Sequence, residues 1–233
     1  MMLLYKAWLE SRTRFALSVI AIVGLIALFV LMNRDARADV ADLNATYSQY
    51  LWSAIYKGYL RDIFVIVVLL LGMGGLGRER AYGTSGFTLT LPVSRWRLTA
   101  TRAAVGLAES TVIAFLPAIL LPLLSPLVNE TYPWSQTLHF AVLWAFGGSF
   151  VFTIGFLASA LFTGEYSAPI AAVALLFAYS IVTDLPRVER YVIDIHDFMK
   201  GTGPQGPPAL AAVSASSIML IAVAGYITRR KDF

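Results

Sequence analysis

The chain has 233 residues, a net charge of +4, no cysteine, and only 14% charged against 58% hydrophobic residues. Soluble domains carry about 25% charged residues, so with a mean hydropathy of +0.70 water is excluded as the main solvent. The missing cysteines exclude disulfides, cysteine–zinc sites and thiol catalysis. Basic residues flank apolar runs instead of forming one stripe, which favours a membrane surface over nucleic acid.

The N-terminal stretch "MMLLYKAWLESRTRF" places Leu4, Trp8 and Phe15 near one helical face and Lys6 and Glu10 on another. That pattern predicts a helix lying in the membrane interface before it turns into a first span over 15–32. It is not expected to act as a signal peptide, because its basic residues come late and no small-residue cleavage site precedes Asn33. Tyr47, Tyr50, Trp52, Tyr56 and Tyr59 suit an aromatic belt ahead of a second span over 59–77. A connector over 78–97 leads to a third span at 103–124, which contains Pro117 and Pro122. Further apolar runs predict spans at 139–162, 168–185 and 209–228. Between the last two, Val188, Val192, Ile195 and Met199 form the stripe of a short amphipathic helix on the outer face. Continuous runs do not alternate as barrel strands do, and a bilayer leaves helices as the other solution. The fold class is an all-α integral membrane protein, one transmembrane domain of six helices over 1–233.

Most of the 18 Lys and Arg fall at the N-terminus, in the connector or in the "RRKDF" tail, and the acidic residues lean the other way. The positive-inside rule then puts both termini in the cytoplasm.

Several motifs carry less than their letters suggest. "GMGGLG" at 72–77 has dinucleotide-site spacing, but a span precedes it and "RERAYG" follows, where a strand and an apolar helix are required. Small residues for close helix packing suit it better. "DIHD" around His196 reads as a solvated face of an amphipathic helix, and neither His139 nor any serine has a base partner nearby in sequence. "NET" at Asn129 is a glycosylation pattern that informs only in a host that glycosylates. Glu109, about two turns into the third span, is costly there unless paired or wet. It either lines a substrate path or proton-sensitive cavity, or pairs with Arg102 or a connector arginine.

The connector "GRERAYGTSGFTLTLPVSRWR" is too short to fold alone. Arg78 and Arg80 anchor the end of the second span, Gly83 and Gly86 permit a turn, and Phe87, Leu89 and Leu91 offer apolar contacts. Pro92 stops any helix, and Ser94 can cap the helix that carries Arg95 and Arg97 into the third span. Apolar points followed by a rigid stop suit a docking element for a soluble partner. Arg78-Glu79, Gly83-Thr84 and Leu91-Pro92-Val93-Ser94-Arg95, together with six spans, resemble the type-2 permeases of bacterial ATP-binding-cassette (ABC) exporters. "FTLTLP" departs from that pattern, with threonines where the family often has leucines. The resemblance implies that Arg78, Glu79, Gly83, Thr84, Phe87, Leu89, Leu91, Pro92, Ser94 and Arg95 form a coupling element seated on a separate ATPase. It also implies a second permease subunit, identical or related, in the inner (plasma) membrane. No G-x-x-x-x-G-K-[ST] is present, so ATP and Mg would be held by the ATPase and the chain itself is expected to have no enzymatic activity and no cofactor. The expected cargo is hydrophobic or amphipathic. Two other classes stand beside this one: an ion-coupled secondary transporter, which calls for inverted repeats and broken helices, and a membrane enzyme or anchor, which lacks acid–base clusters.

Overall fold

The computed structural model describes residues 2–32, 46–73, 94–162, 166–186, 188 and 191–230, and among these every regular element is helical. α1 covers Met2–Leu31. A short α2, Tyr47–Leu51, passes directly into a π-helical turn, Trp52–Tyr56, and α3 covers Tyr59–Gly72. α4 covers Arg95–Leu124 and runs through both prolines before tightening into a 3-10 turn, Ser125–Val128. Asn129, with φ of 58°, ends it in the left-handed region that asparagine tolerates. α5 covers Trp134–Leu161, α6 Ser167–Thr183, α7 Ile195–Lys200 and α8 Pro207–Arg230.

Four of these stretches are long and apolar enough to cross a membrane: α1, α4 with its 3-10 turn, α5 and α8. α6 is apolar but has 17 residues. The 14 residues of α3 span about 21 Å, against a hydrocarbon thickness of about 30 Å. Among the described residues the fold is thus that of an all-helical membrane protein, with four helices of spanning length and two shorter apolar ones in the expected order.

α5 is the axis of the bundle and packs against α3, α4, α6, α7 and α8. Where it crosses α3 the backbones touch. Gly72 lies against the Phe152 carbonyl, Gly155 against the Leu69 carbonyl, and Gly148 receives the Phe64 ring. Small residues allow this approach where no hydrophobic drive separates helix from lipid. The packing role expected of "GMGGLG" is visible at Gly72; residues 74–77 lie outside the described ones. Hydroxyls within the helices turn back on their own backbone, as in Ser149 to Ala145 O (2.7 Å), Ser180 to Leu176 O (3.2 Å) and Ser217 to Val213 O (2.8 Å). A medium without water leaves them few other partners.

The contacts define two ends. At one, Tyr56 stacks on Phe140 with centroids 4.0 Å apart, and Trp144 stacks on Phe64 at 4.6 Å. Tyr47 Oη bonds Ser125 Oγ (2.8 Å), and Tyr50 Oη donates to the Phe29 carbonyl (3.1 Å). This aromatic end corrects the expected belt: Tyr47, Tyr50 and Tyr56 are buried among other helices, and of the tyrosines in that row only Tyr59 is exposed.

Two other expectations change. No break separates an interfacial helix from the first span, because α1 is one continuous helix of 30 residues. Its buried stripe is Ala7, Ser11, Ser18, Ile22, Ile26 and Val30, while Leu4 and Trp8 face outward. The amphipathic helix before α8 is shorter than expected and does not rest on a face. Ahead of it the Val188 N–H bonds Leu185 O and the Tyr191 N–H bonds Val188 O. α7 starts only where Asp194 accepts the His196 N–H (2.7 Å). It drives Ile195, Phe198 and Met199 into the bundle, and Met199 fills the space beside Gly147.

Candidate functional site

The other end of the bundle holds both roots of the connector: α3 finishes there at Gly72, and α4 begins there at Arg95. Arg78, Glu79, Gly83, Thr84, Phe87, Leu89, Leu91 and Pro92 lie outside the described residues; Ser94, Arg95 and Glu109 lie within them. Ser94 is extended (φ −64°, ψ 141°) and accepts the Arg97 N–H at 3.4 Å, a cap that satisfies one of the unpaired donors of the first turn. Arg95 Nη1 donates to the Arg229 carbonyl (3.5 Å) in the last turn of α8. Beside it the Trp96 ring lies over Gly225.

Both roots are tied to one stretch of α1. Arg14 Nη1 donates to the Leu70 carbonyl (3.0 Å) and to that of Met73, so a cation closes the C-terminal carbonyls of α3, where the helix dipole favours positive charge. One turn earlier, Glu10 accepts from Arg102 of α4 (2.9 Å) and pairs with Lys6 at 3.6 Å. Ser11 donates to Glu109 Oε1. Glu109 is 3% exposed, and among the described residues its Oε2 has no hydrogen-bond partner. Of the partners expected for Glu109, Arg102 is engaged instead by Glu10, and Ser11 serves the carboxylate; the connector arginines Arg78 and Arg80 lie outside the described residues.

Between α1 and the α3–α4–α5 core lies a small open cleft of about 30 Å³. Glu10, Ser11, Arg14 and Arg102 form its polar side; Leu71, Val105, Phe152 and Phe156 form its apolar side, and at Gly72 and Gly106 α5 packs close through Phe152. Glu109 is not on this wall but stands behind Ser11. Sequence reasoning missed Glu10, Ser11, Arg14 and Arg102 as a group. The available signal was spacing: Ala7, Ser11 and Ser18 continue the stripe of Ile22, Ile26 and Val30, placing small polar residues on the inward face.

The histidines sit at the aromatic end. His139 Nε2 is 2.7 Å from Gln205 Oε1. Burial, and then the charge of Arg61, lower the His196 pKa below its usual 6.5. Among the described residues no three of His, Cys, Asp and Glu converge as a metal site would require.

Fold and site together describe a helical membrane protein with a charged seam joining α1 to the roots of the α3–α4 connector. No protein-family model, curated protein or solved structure matches the chain.

Proposed function

We propose that the chain is the transmembrane permease subunit of an ABC exporter, moving a hydrophobic or amphipathic cargo with energy from a separate ATPase. In this reading α1, α3, α4, α5, α6 and α8 are the six crossings and both termini are cytoplasmic. The connector is the element that the ATPase grips, and a second permease subunit completes the transporter in the plasma membrane. The observation that carries it is the seam: α3 before the connector and α4 after it are both fastened to residues 10–14 of α1. A push on a loop rooted in this way reaches three helices at once, which a solvent-facing linker has no need of. Lys6, Arg12, Arg97 and Arg230 lie on the helix ends that gather there, in keeping with a cytoplasmic side.

The test uses the full chain, affinity-purified from membranes of its own host. A Walker-motif ATPase is expected to co-purify, and changing Phe87, Leu89 and Leu91 together to Asp is expected to lose it. Undiminished capture by the triple variant refutes the coupling role, and gradient-driven transport in ATP-free vesicles would favour the ion-coupled class. Because the chain has no cysteine, Ser94→Cys gives a single labelling site. A membrane-impermeant maleimide should reach it only from the cytoplasmic side.

A further inference from the structure

We propose that Glu109 is a proton-binding site, loaded from the connector end of the bundle through the Ser11 hydroxyl. Glu109 is buried midway along α4, where an ionised carboxylate is costly unless it is paired and hydrogen-bonded. Among the described residues Ser11 serves only Oε1, and Oε2 has no partner. A neutral acid tolerates that arrangement better, because its remaining carbonyl oxygen carries no full charge. The surroundings pull in both directions. Arg14, which donates to the carbonyls of Leu70 and Met73, acts on Glu109 from α1 and favours the ionised form, whereas burial favours the protonated one. Glu10 is matched by Arg102 and by Lys6. Of the other helices packed on α4, α5 offers only His139, at the aromatic end. Arg61 and Asp62 sit in the first turn of α3, far from the connector, and Arg229 and Arg230 in the last turn of α8.

Ser11 is placed to move the proton. It lines the small cleft on one side and bonds Glu109 on the other. The cleft, with its polar side and a volume of about 30 Å³, has room for about two water molecules and for no larger ligand. A hydroxyl has one donor hydrogen and two acceptor lone pairs. Ser11 Oγ therefore accepts a proton from water while its own hydrogen passes to Glu109 Oε1. One proton moves from the cleft to the carboxyl, and serine ends as it began. Once loaded, the acid donates back to Ser11 Oγ, and the serine hydrogen turns to the carbonyl of Ala7 (3.2 Å) or of Trp8 (3.3 Å), both already within reach. The bond between α1 and α4 thus reverses direction without breaking, and changes from a charge-assisted bond to a weaker neutral one. This inference requires no ATPase, so it stands or falls apart from the permease reading.

The test is infrared spectroscopy of the full chain reconstituted in lipid, with spectra at pH 5 and pH 9 compared with those of Glu109→Gln. At pH 5 the unmodified chain should show the carbonyl stretch of one protonated carboxylic acid, at the high frequency of a carbonyl that accepts no hydrogen bond, as Oε2 requires. At pH 9 carboxylate bands should replace it, and Glu109→Gln should lose it. Carbon-13 labelling of the glutamates should shift the band in the unmodified chain. Glu109 is the one glutamate buried among the described residues, so this label carries the test even where Glu109→Gln fails to fold. In Ser11→Ala the band should remain, but exchange of its proton for deuterium should slow about a hundredfold, the low end of what a positioned proton-transfer group supplies. No such band at pH 5 makes Glu109 a permanent carboxylate, and a band that persists unchanged at pH 9 makes it a permanent acid; either result overturns the proposal. Exchange as fast in Ser11→Ala as in the unmodified chain overturns the serine route.

Discussion

Replacing Gly155 by alanine adds one methyl group where α5 crosses α3. That methyl would meet the Leu69 carbonyl oxygen, with the carbonyl carbon at 3.3 Å and Cα at 3.5 Å. All three atoms are backbone, so no side chain can swing aside and the two helices must separate. Overpacking of this kind costs about 1–3 kcal/mol. Alanine also gains up to about 1 kcal/mol in helix propensity, which would blur the result were there no control. Gly24 of α1 provides one, since a Cβ there meets nothing within 4 Å. Gly24→Ala should therefore stabilise by about 0.5–1 kcal/mol. The propensity terms cancel between the two variants, and the gap in their melting midpoints reports the clash, at about 2–4 °C per kcal/mol for a chain of this size. Thermal unfolding in one detergent, followed by circular dichroism, is the assay. A Gly155→Ala variant that melts at or above Gly24→Ala would refute the close crossing.

Other substitutions test other contacts. Tyr47→Phe removes the hydroxyl that bonds Ser125 and should cost about 1 kcal/mol, whereas the buried Tyr56 hydroxyl has no partner among the described residues, so Tyr56→Phe should leave the melting midpoint unchanged or raise it. Ser94→Ala should destabilise by about 1 kcal/mol through the lost cap on α4; an unchanged midpoint would show that the cap contributes nothing. His196 faces Arg61, Asp62, Asp194 and Lys200, with a pKa lowered by burial and Arg61. The unfolded chain therefore takes up a proton first, and this contribution to stability is complete above about pH 6.5 and falls as the pH drops toward the lower folded value. Unfolding midpoints measured from pH 7.5 to 5 should fall, and His196→Gln should flatten that slope.

The order of apolar helices was legible because length and hydropathy report the solvent directly. Helix faces were not. In α1 the sequence favours Leu4, Trp8 and Phe15 as a coherent apolar face, but two of these turn outward, and Ala7, Ser11 and Ser18 turn in. Periodicity finds a stripe, but it does not say which stripe is inside when the surroundings are as apolar as the core. The same ambiguity hid the charged seam, since Lys6 and Glu10 read only as a face apart from the apolar one, and the partners of Glu10 and Arg14 on α4 and α3 are remote in sequence. The tyrosines of residues 47–56 misled in a related way: an aromatic row beside a span fits an interface and a buried cap equally well. Asp194 was the more informative signal near α7, because a capping carboxylate marks where a helix starts regardless of solvent.

The inward bonding of the hydroxyls has a mechanical consequence for α8. Ser214, Ser216, Ser217 and Thr228 each donate to a carbonyl four residues back, so none stitches α8 to a neighbour. Among the described residues its polar links lie only at its two ends, next to Gln205 and at Arg229. Between these ends α8 is a smooth rod held by shape. It can roll or slide against α4 and α5 by exchanging one set of dispersion contacts for another, and the indole seated over Gly225 acts as the detent that fixes its resting angle.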